Sequence, residues 1–467
     1  MLSLKNLRLK YPDDERIIFK NLDIQINDKE KVLLLGPSGS GKSTLLNVLN
    51  GIIPRSLDIP MKLDSITIDT LPGVVFQDPD TQFCMPEIKE ELAFVLENMN
   101  VDPKEMDGMI NEAMNKVNLN ADASLKINRL SGGMKQKLAI ASILLQNSQT
   151  LFLDEPTAML DHQSTTQLWD LIMQHWKDQT VVIVEHKVDY IWNFVDRVIV
   201  MNEQGQITHD STPSDILENH IDILNQYGVW HPLSWNYAPQ LKNKSSAQET
   251  LLTIKDLDIL RSNRKLFTID NLTINSGEWI GLTGQNGSGK TSFLESIMQL
   301  IKYNGQVKYK NKQLKKVKDA SKHMYFVYQN PELQFIEISV FNEIFINFAF
   351  QDKETAIEKT NEMLNLLNLY HVKDQHPFEL SIGQKKRLSV ATALSTNSEI
   401  ILLDEPTFGL DSHNTFELIK LFHERVRKGQ TILMITHENE IIERYATRTL
   451  VINNHQLDVN GGESHVN

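Results

Sequence analysis

Apolar and polar positions alternate along residues 2–26, on both sides of Tyr11-Pro12-Asp13-Asp14. A period of two puts one face of a strand inward, so this stretch predicts an antiparallel, hairpin-like start. Lys31 to Leu35 is instead a short, nearly unbroken apolar run, which predicts a buried strand. From Lys42 to Leu49 the apolar residues recur at helical spacing. Further short apolar runs occur at Ile66-Thr67-Ile68, Val74-Val75-Phe76, Leu151-Phe152-Leu153 and Val181-Val182-Ile183-Val184, while residues 86–120 are mostly polar with helical apolar spacing. Strands alternating with helices predict an α/β fold, a mostly parallel sheet flanked by helices with ligand loops at the carboxyl ends of the strands.

The same order then returns. Lys42 and Lys290 stand 248 residues apart, Ser131 and Ser381 as well as Asp154 and Asp404 stand 250 apart, and His186 and His437 stand 251 apart. A nearly constant offset over this many landmarks marks a duplicated domain. The expected division is residues 1–229, a linker at 230–250, and residues 251–467. Two prolines and the polar run Lys242-Asn243-Lys244-Ser245-Ser246 mark the linker. Each half is expected to carry an antiparallel β portion and a helical insert, near 86–128 and 337–377.

Composition narrows the classes. With 467 residues the chain holds about two or three full cores, and the repeat selects two. A formal net charge of −13 argues against broad attraction to nucleic acid, so none is expected as a partner. The single cysteine, Cys84, excludes an intrachain disulfide and any cysteine-rich metal site, as suits a reducing cytosol. No run approaches the ~20 apolar residues that span a bilayer, and Met1-Leu2-Ser3-Leu4-Lys5 does not open a secretory signal. If the protein works at a membrane, another chain is expected to supply the span.

The chemistry sits at the ends of the apolar runs. Gly36-Pro37-Ser38-Gly39-Ser40-Gly41-Lys42-Ser43-Thr44 follows the run at 31–35, and Gly284-Gln285-Asn286-Gly287-Ser288-Gly289-Lys290-Thr291-Ser292 follows its copy. Glycine-rich turns from strand to helix deliver backbone N–H groups and a helix N-terminus to a phosphate chain. Lys42 and Lys290 would reach the β- and γ-phosphates, and Ser43 and Thr291 would coordinate Mg²⁺. A glycine-rich turn without a ligand is the bland alternative, and two copies in matched contexts argue against it. Asp154 and Asp404 end apolar strands and are expected to hold the Mg²⁺ shell, with Glu155 and Glu405 polarising the attacking water. An isolated Asp-Glu pair would read as a solvated strand end. These pairs are followed in both halves by Pro-Thr and a second aspartate, Asp161 or Asp411.

His186 and His437 end further strands and are expected to meet the γ-phosphate and orient water, a role that rests on the repeat because a lone histidine is more often structural. Gln77 and Gln329, ahead of Asp78-Pro79 and Asn330-Pro331, are expected to touch metal or water. Ser131-Gly132-Gly133 and Ser381-Ile382-Gly383 start helices; by themselves they fit a phosphate site and an ordinary capped start equally well.

This set of motifs, twice over, resembles the ATP-binding-cassette (ABC) ATPases, and the resemblance covers nearly the whole chain outside the linker and the tail. It implies two tandem P-loop nucleotide-binding domains of ABC type that bind ATP and Mg²⁺ and hydrolyse ATP. In that family two cassettes pack head to tail. Carried over, Ser131, Gly132 and Gly133 would complete the Lys290 site, Ser381 and Gly383 the Lys42 site, and one chain would hold both.

Gln77-Asp78-Pro79-Asp80-Thr81-Gln82-Phe83 and its copy at 329–335 are similar to the short docking helix of the ATPase component of energy-coupling factor importers, which take up vitamins and transition-metal ions. Glu185-His186-Lys187 and Asp196-Arg197-Val198-Ile199-Val200 also fit that subgroup. The resemblance implies a peripheral subunit on the cytoplasmic side of the cell membrane. Its partners would be a transmembrane coupling subunit and a substrate-binding membrane subunit. The alternative is a soluble ribosome-associated tandem ATPase, a translation factor; such proteins carry a long charged helical arm between domains, whereas the linker here is short and polar.

Two positions depart from the family pattern. Ile382 replaces the first signature glycine, and a β-branched residue at positive φ meets a steric penalty, so the Lys42 site is expected to close less well. The aromatic residue that stacks on adenine in the family is Tyr11 in the first half, but Arg261 holds its place in the second; a guanidinium can also stack.

Overall fold

The computed structural model describes residues 1–12, 16–69, 71–158, 160, 162–241, 249–261, 264–453 and 455–461. Asp161, part of the turn at Asp13-Asp14, and the polar run at 242–246 lie outside the described residues. The chain divides into two units, Met1–Asn236 and Tyr237–Asn467.

In the first unit the strands Leu2–Lys10 and Ile17–Ile26 pair antiparallel, and the short strands Met61–Lys62 and Ser65–Thr67 extend that layer along Leu2–Lys10. Behind it lies a six-stranded sheet. Its order is Ile207–Ser211, Arg197–Met201, Lys31–Leu35, Thr180–Val184, Thr150–Asp154 and Gly73–Val75, parallel except for the first pairing. All five residues of Lys31–Leu35 are buried because the strand is covered on both faces. Leu33 and Leu35 join the core beneath the helical insert, and Val32 and Leu34 join the core shared with the antiparallel layer. Period two thus divides one strand between two cores.

The insert consists of the helices Ile88–Asn98 and Pro103–Lys116, the second capped by Asp102 with Pro103 at its first position. The second unit repeats the parallel order as Arg448–Asn453, Trp279–Gly284, Thr431–Ile435, Ile400–Asp404 and Met324–Val327. There one parallel pairing, Thr268 with Gln456, runs the antiparallel layer and the parallel sheet together. Its insert begins with a shorter helix, Val340–Phe345, followed by Lys353–Leu366.

At residues 230–237 the chain is packed. Trp230 and Trp235 lie with ring centroids 5.4 Å apart, and His231 and Ser234 are buried.

Candidate active sites

The loop after Lys31–Leu35 turns on glycines for a steric reason. Gly36 has φ +149° and a Cβ there would lie 2.5 Å from the Met201 carbonyl oxygen, so a side chain cannot be accommodated. Gly41, at φ +92°, precedes the helix Lys42–Leu49, and no side chain caps that helix. Its first-turn N–H groups are therefore left for a ligand. Lys42 folds back into the loop, with Nζ donating to the carbonyls of Gly36 at 2.7 Å and Pro37 at 3.0 Å. Burial pushes its ammonium down to about 8, against the opposing pull of Glu155 and Asp154. The hydroxyl of Ser40 is buried without a hydrogen-bond partner, and Ser288 repeats this in the second unit. In each unit one buried orphan hydroxyl, uncapped N–H groups and an inward-folded lysine form a cradle suited to an anion. Tyr11 reaches the same place, its phenol oxygen 3.0 Å from Thr44 Oγ1.

Opposite the loop stand the strand ends. Ser43 Oγ donates to Asp154 Oδ1 at 3.0 Å, and Thr291 Oγ1 donates to Asp404 Oδ2 at 2.7 Å. A hydroxyl and a carboxylate converging beside a phosphate cradle are a donor set that suits Mg²⁺. Burial drives the Asp154 carboxyl up to about 6 and Asp404 upward too. Glu155 Oε2 accepts from Gln77 Nε2 at 2.7 Å, and its Oε1 lies 3.0 Å from His186 Nε2. Burial opposes ionisation of Glu155, yet the hydrogen bond and charge of His186, with Lys42 and Gln77, hold it below its ordinary range. Burial likewise opposes charge on His186, but Glu155 raises it overall. A carboxylate kept ionised by an imidazole can accept a proton from water or orient it. In the second unit His437 Nε2 lies 3.1 Å from Glu405 Oε1. Both glutamates take a left-handed backbone, φ +47° at Glu155 and +52° at Glu405; such strain collects at functional positions.

In the second unit these groups surround a cavity of about 360 Å³, lined among others by Arg261, Lys290, Thr291, Ser292, Gln329 and His437. Arg261 pairs with Glu295 at 2.7 Å at its edge. Sequence reasoning passed over that partner, and also Lys386. The latter is buried, and its Nζ donates to the carbonyls of Gln329 at 2.5 Å and Glu405 at 3.0 Å. Burial lowers its ammonium to about 8. Glu185, which enters the sequence pattern only beside His186, is buried and accepts from Thr157 Oγ1 at 2.7 Å, which braces the turn after Glu155. The repeat itself carried a signal for Lys386, because Gln136 occupies the same place in the first half.

The segments at 131–133 and 381–383 open the helices Gly132–Gln146 and Ile382–Ser395. Ser131 Oγ accepts from Met134 N at 3.3 Å, and Ser381 Oγ from Gln384 N at 3.3 Å, so both serines cap their own helices. Among the described residues no hydrogen bond joins Ser131 to the loop at 36–44. The expected strain at Ile382 is absent. Gly132 and Ile382 are each the first residue of a helix and neither has a positive φ, so the backbone angle is one isoleucine accepts.

Fold and site together define a chain with two P-loop nucleotide-binding units, each with a phosphate loop facing a carboxylate-tipped strand. The chain belongs to the ABC transporter family, whose model matches residues 19–158 and 267–408, and it is an ATP-binding ATPase. It is 32% identical to a putative HMP/thiamine import ATP-binding protein of Bacillus subtilis, over 99% of this chain and 91% of the relative. It is 31% identical to a putative ABC transporter ATP-binding protein of Streptococcus mutans, over 98% of this chain and 90% of the relative. Among solved structures, an archaeal ribosome recycling factor in complex with a ribosomal stalk protein gives a TM-score of 0.70 at 20% identity, covering 97% of this chain and 89% of the other. An RNase-L inhibitor gives 0.69 at 20% identity, covering 98% and 90%. At that identity the likeness speaks for the fold alone.

Proposed function

We propose that the chain is the motor subunit of an energy-coupling factor type importer for a vitamin or a transition-metal ion, acting on the cytoplasmic face of the cell membrane through separate transmembrane subunits. Among the described residues no helix is long and apolar enough to cross a membrane. In each unit the loop lysine, Lys42 or Lys290, binds the terminal phosphates. Ser43 with Asp154 and Gln77, or Thr291 with Asp404 and Gln329, would hold Mg²⁺, which neutralises phosphate charge. Glu155 with His186, and Glu405 with His437, activate water.

The observation that carries the reading is the apolar surface beside Gln329. Leu333, Ile336 and Ile338 are 70%, 74% and 74% exposed, on a turn fastened by the Lys385–Glu332 ion pair at 2.6 Å. Phe83, by contrast, is half-buried against the core of its own unit, so the contacts fall to more exposed neighbours. The import role in the printed name of the Bacillus relative agrees with this reading. A ribosomal role has only fold likeness behind it, and the net charge of −13 disfavours RNA.

The test is to purify the tagged chain from mild-detergent extracts and identify what accompanies it. Multi-span membrane proteins are expected. Changing Leu333, Ile336 and Ile338 together to Asp should release them while the isolated chain still hydrolyses ATP. Co-purification of ribosomes, or retention of the membrane proteins by the triple variant, would overturn the assignment.

A further inference from the structure

The duplicated halves differ at one buried position beside the catalytic strand. In the second unit, neighbouring residues of the helix Ile382–Ser395 grip the turn after Gln329 along its length. Lys386 Nζ donates to the Gln329 carbonyl at 2.5 Å, Lys385 Nζ meets Glu332 Oε1 at 2.6 Å, and Gln334 Nε2 donates to Ser389 O at 3.1 Å and Thr392 Oγ1 at 2.9 Å. Lys386 does more than hold the turn. The same ammonium donates to the Glu405 carbonyl at 3.0 Å, so one buried charge joins the glutamine-bearing strand end to the carboxylate-bearing one.

In the first unit, Lys135 meets Asp80 at 2.6 Å, which repeats the middle contact. The other two points are different. Gln136 stands where Lys386 does, is fully buried, and has no hydrogen-bond partner on either its amide nitrogen or its amide oxygen; Gln82 Oε1, the counterpart of the Gln334 oxygen, is also buried without one. Leaving such groups unpaired is unfavourable, so the first unit accepts a looser fastening where the second has a charge-assisted one.

We propose that Lys386 is a positioning residue of the second active site, fixing the distance between the Gln329–Gln334 turn and the backbone of Glu405, so that the catalytic carboxylate moves with the turn. The first site works without this link. A backbone anchor acts on where Glu405 points and leaves the phosphate loop, Lys290 and Thr291, as they are. Its loss is therefore felt in turnover and not in ATP binding.

The inference rests on the catalytic role proposed for Glu405, and the experiment separates the two. Lys386→Met, Lys386→Gln, Gln136→Met and Glu405→Gln are made in the full chain, and each is assayed for steady-state kcat and KM and for the affinity and stoichiometry of a non-hydrolysable ATP analogue. Lys386→Met is expected to lower kcat by about twofold or more, first-site turnover setting the floor, with analogue binding unchanged. Lys386→Gln should fall between it and the native chain, because its amide can still donate to one carbonyl. Gln136→Met removes only unpartnered groups and should leave kcat unchanged. A native kcat in Lys386→Met, a loss of analogue binding in proportion to kcat, or an equal loss in Gln136→Met would each overturn the proposal. Full hydrolysis by Glu405→Gln would instead overturn the reading of the site itself.

Discussion

Replacing Lys42 by Met removes the one charged side chain of the loop at residues 36–44 while keeping most of the side-chain volume. The structure allows the loss to be sized. A unit charge about 4 Å from a phosphate charge gains about 4 kcal/mol at the effective dielectric of roughly 20 that suits such sites. Against this stand the two carbonyl bonds Lys42 makes within the loop, to Gly36 at 2.7 Å and Pro37 at 3.0 Å. Re-aiming the ammonium forfeits them, at about 0.5–1 kcal/mol each. A net of about 2–3 kcal/mol remains, which is a site weaker by roughly 30- to 150-fold. Lys290 makes the same pair of bonds, at 2.8 Å to Gly284 and 3.0 Å to Gln285, so Lys290→Met should cost its own site a similar amount. Isothermal titration with a non-hydrolysable ATP analogue resolves the two classes of site. Unchanged affinity at both sites in both variants would refute the assignment of these loops to phosphate.

Glu155→Gln keeps the side-chain shape beside His186 but not the charge, so first-site hydrolysis should fall about a hundredfold or more while analogue binding persists; equal single-turnover rates would refute the role. Gly36→Ala forces a Cβ to 2.5 Å from Met201 O at φ +149° and should destabilise the first unit by roughly 1–3 kcal/mol, seen in calorimetric melting. A native melting curve would show that the turn has another conformation. Burial pulls His231 down to about 4, so the folded chain favours its neutral form. That contribution is full above about 6.5, the unfolded value, and is lost as pH falls towards 4, amounting to about 2 kcal/mol by pH 5. His231→Gln should lose that much less stability between pH 7.5 and 5, and equal acid losses in the two chains would refute the burial argument.

Much of the site was legible because its motifs are local. A glycine-rich loop between an apolar run and a helical pattern needs only neighbouring residues to be recognised, and the same holds for the carboxylates that end apolar runs and for the landmarks recurring at a constant offset. Local geometry also sets the capped starts at Ser131 and Ser381. The strand order that brings those pieces together was not legible. Ser43 meets Asp154 across 111 residues and Gln77 meets Glu155 across 78, because parallel pairing within one sheet brings the carboxyl ends of Lys31–Leu35, Thr150–Asp154 and Gly73–Val75 to the same end of it. Periodicity reports which residues are buried and says nothing of which strand lies beside which. The same limit explains the misreading at Ile382, where the helix that begins there fixes φ. Lys386 and Gln136 look interchangeable as polar residues near a helix start. Only the packing of that helix against two strand ends makes one a charged link and leaves the other unpaired.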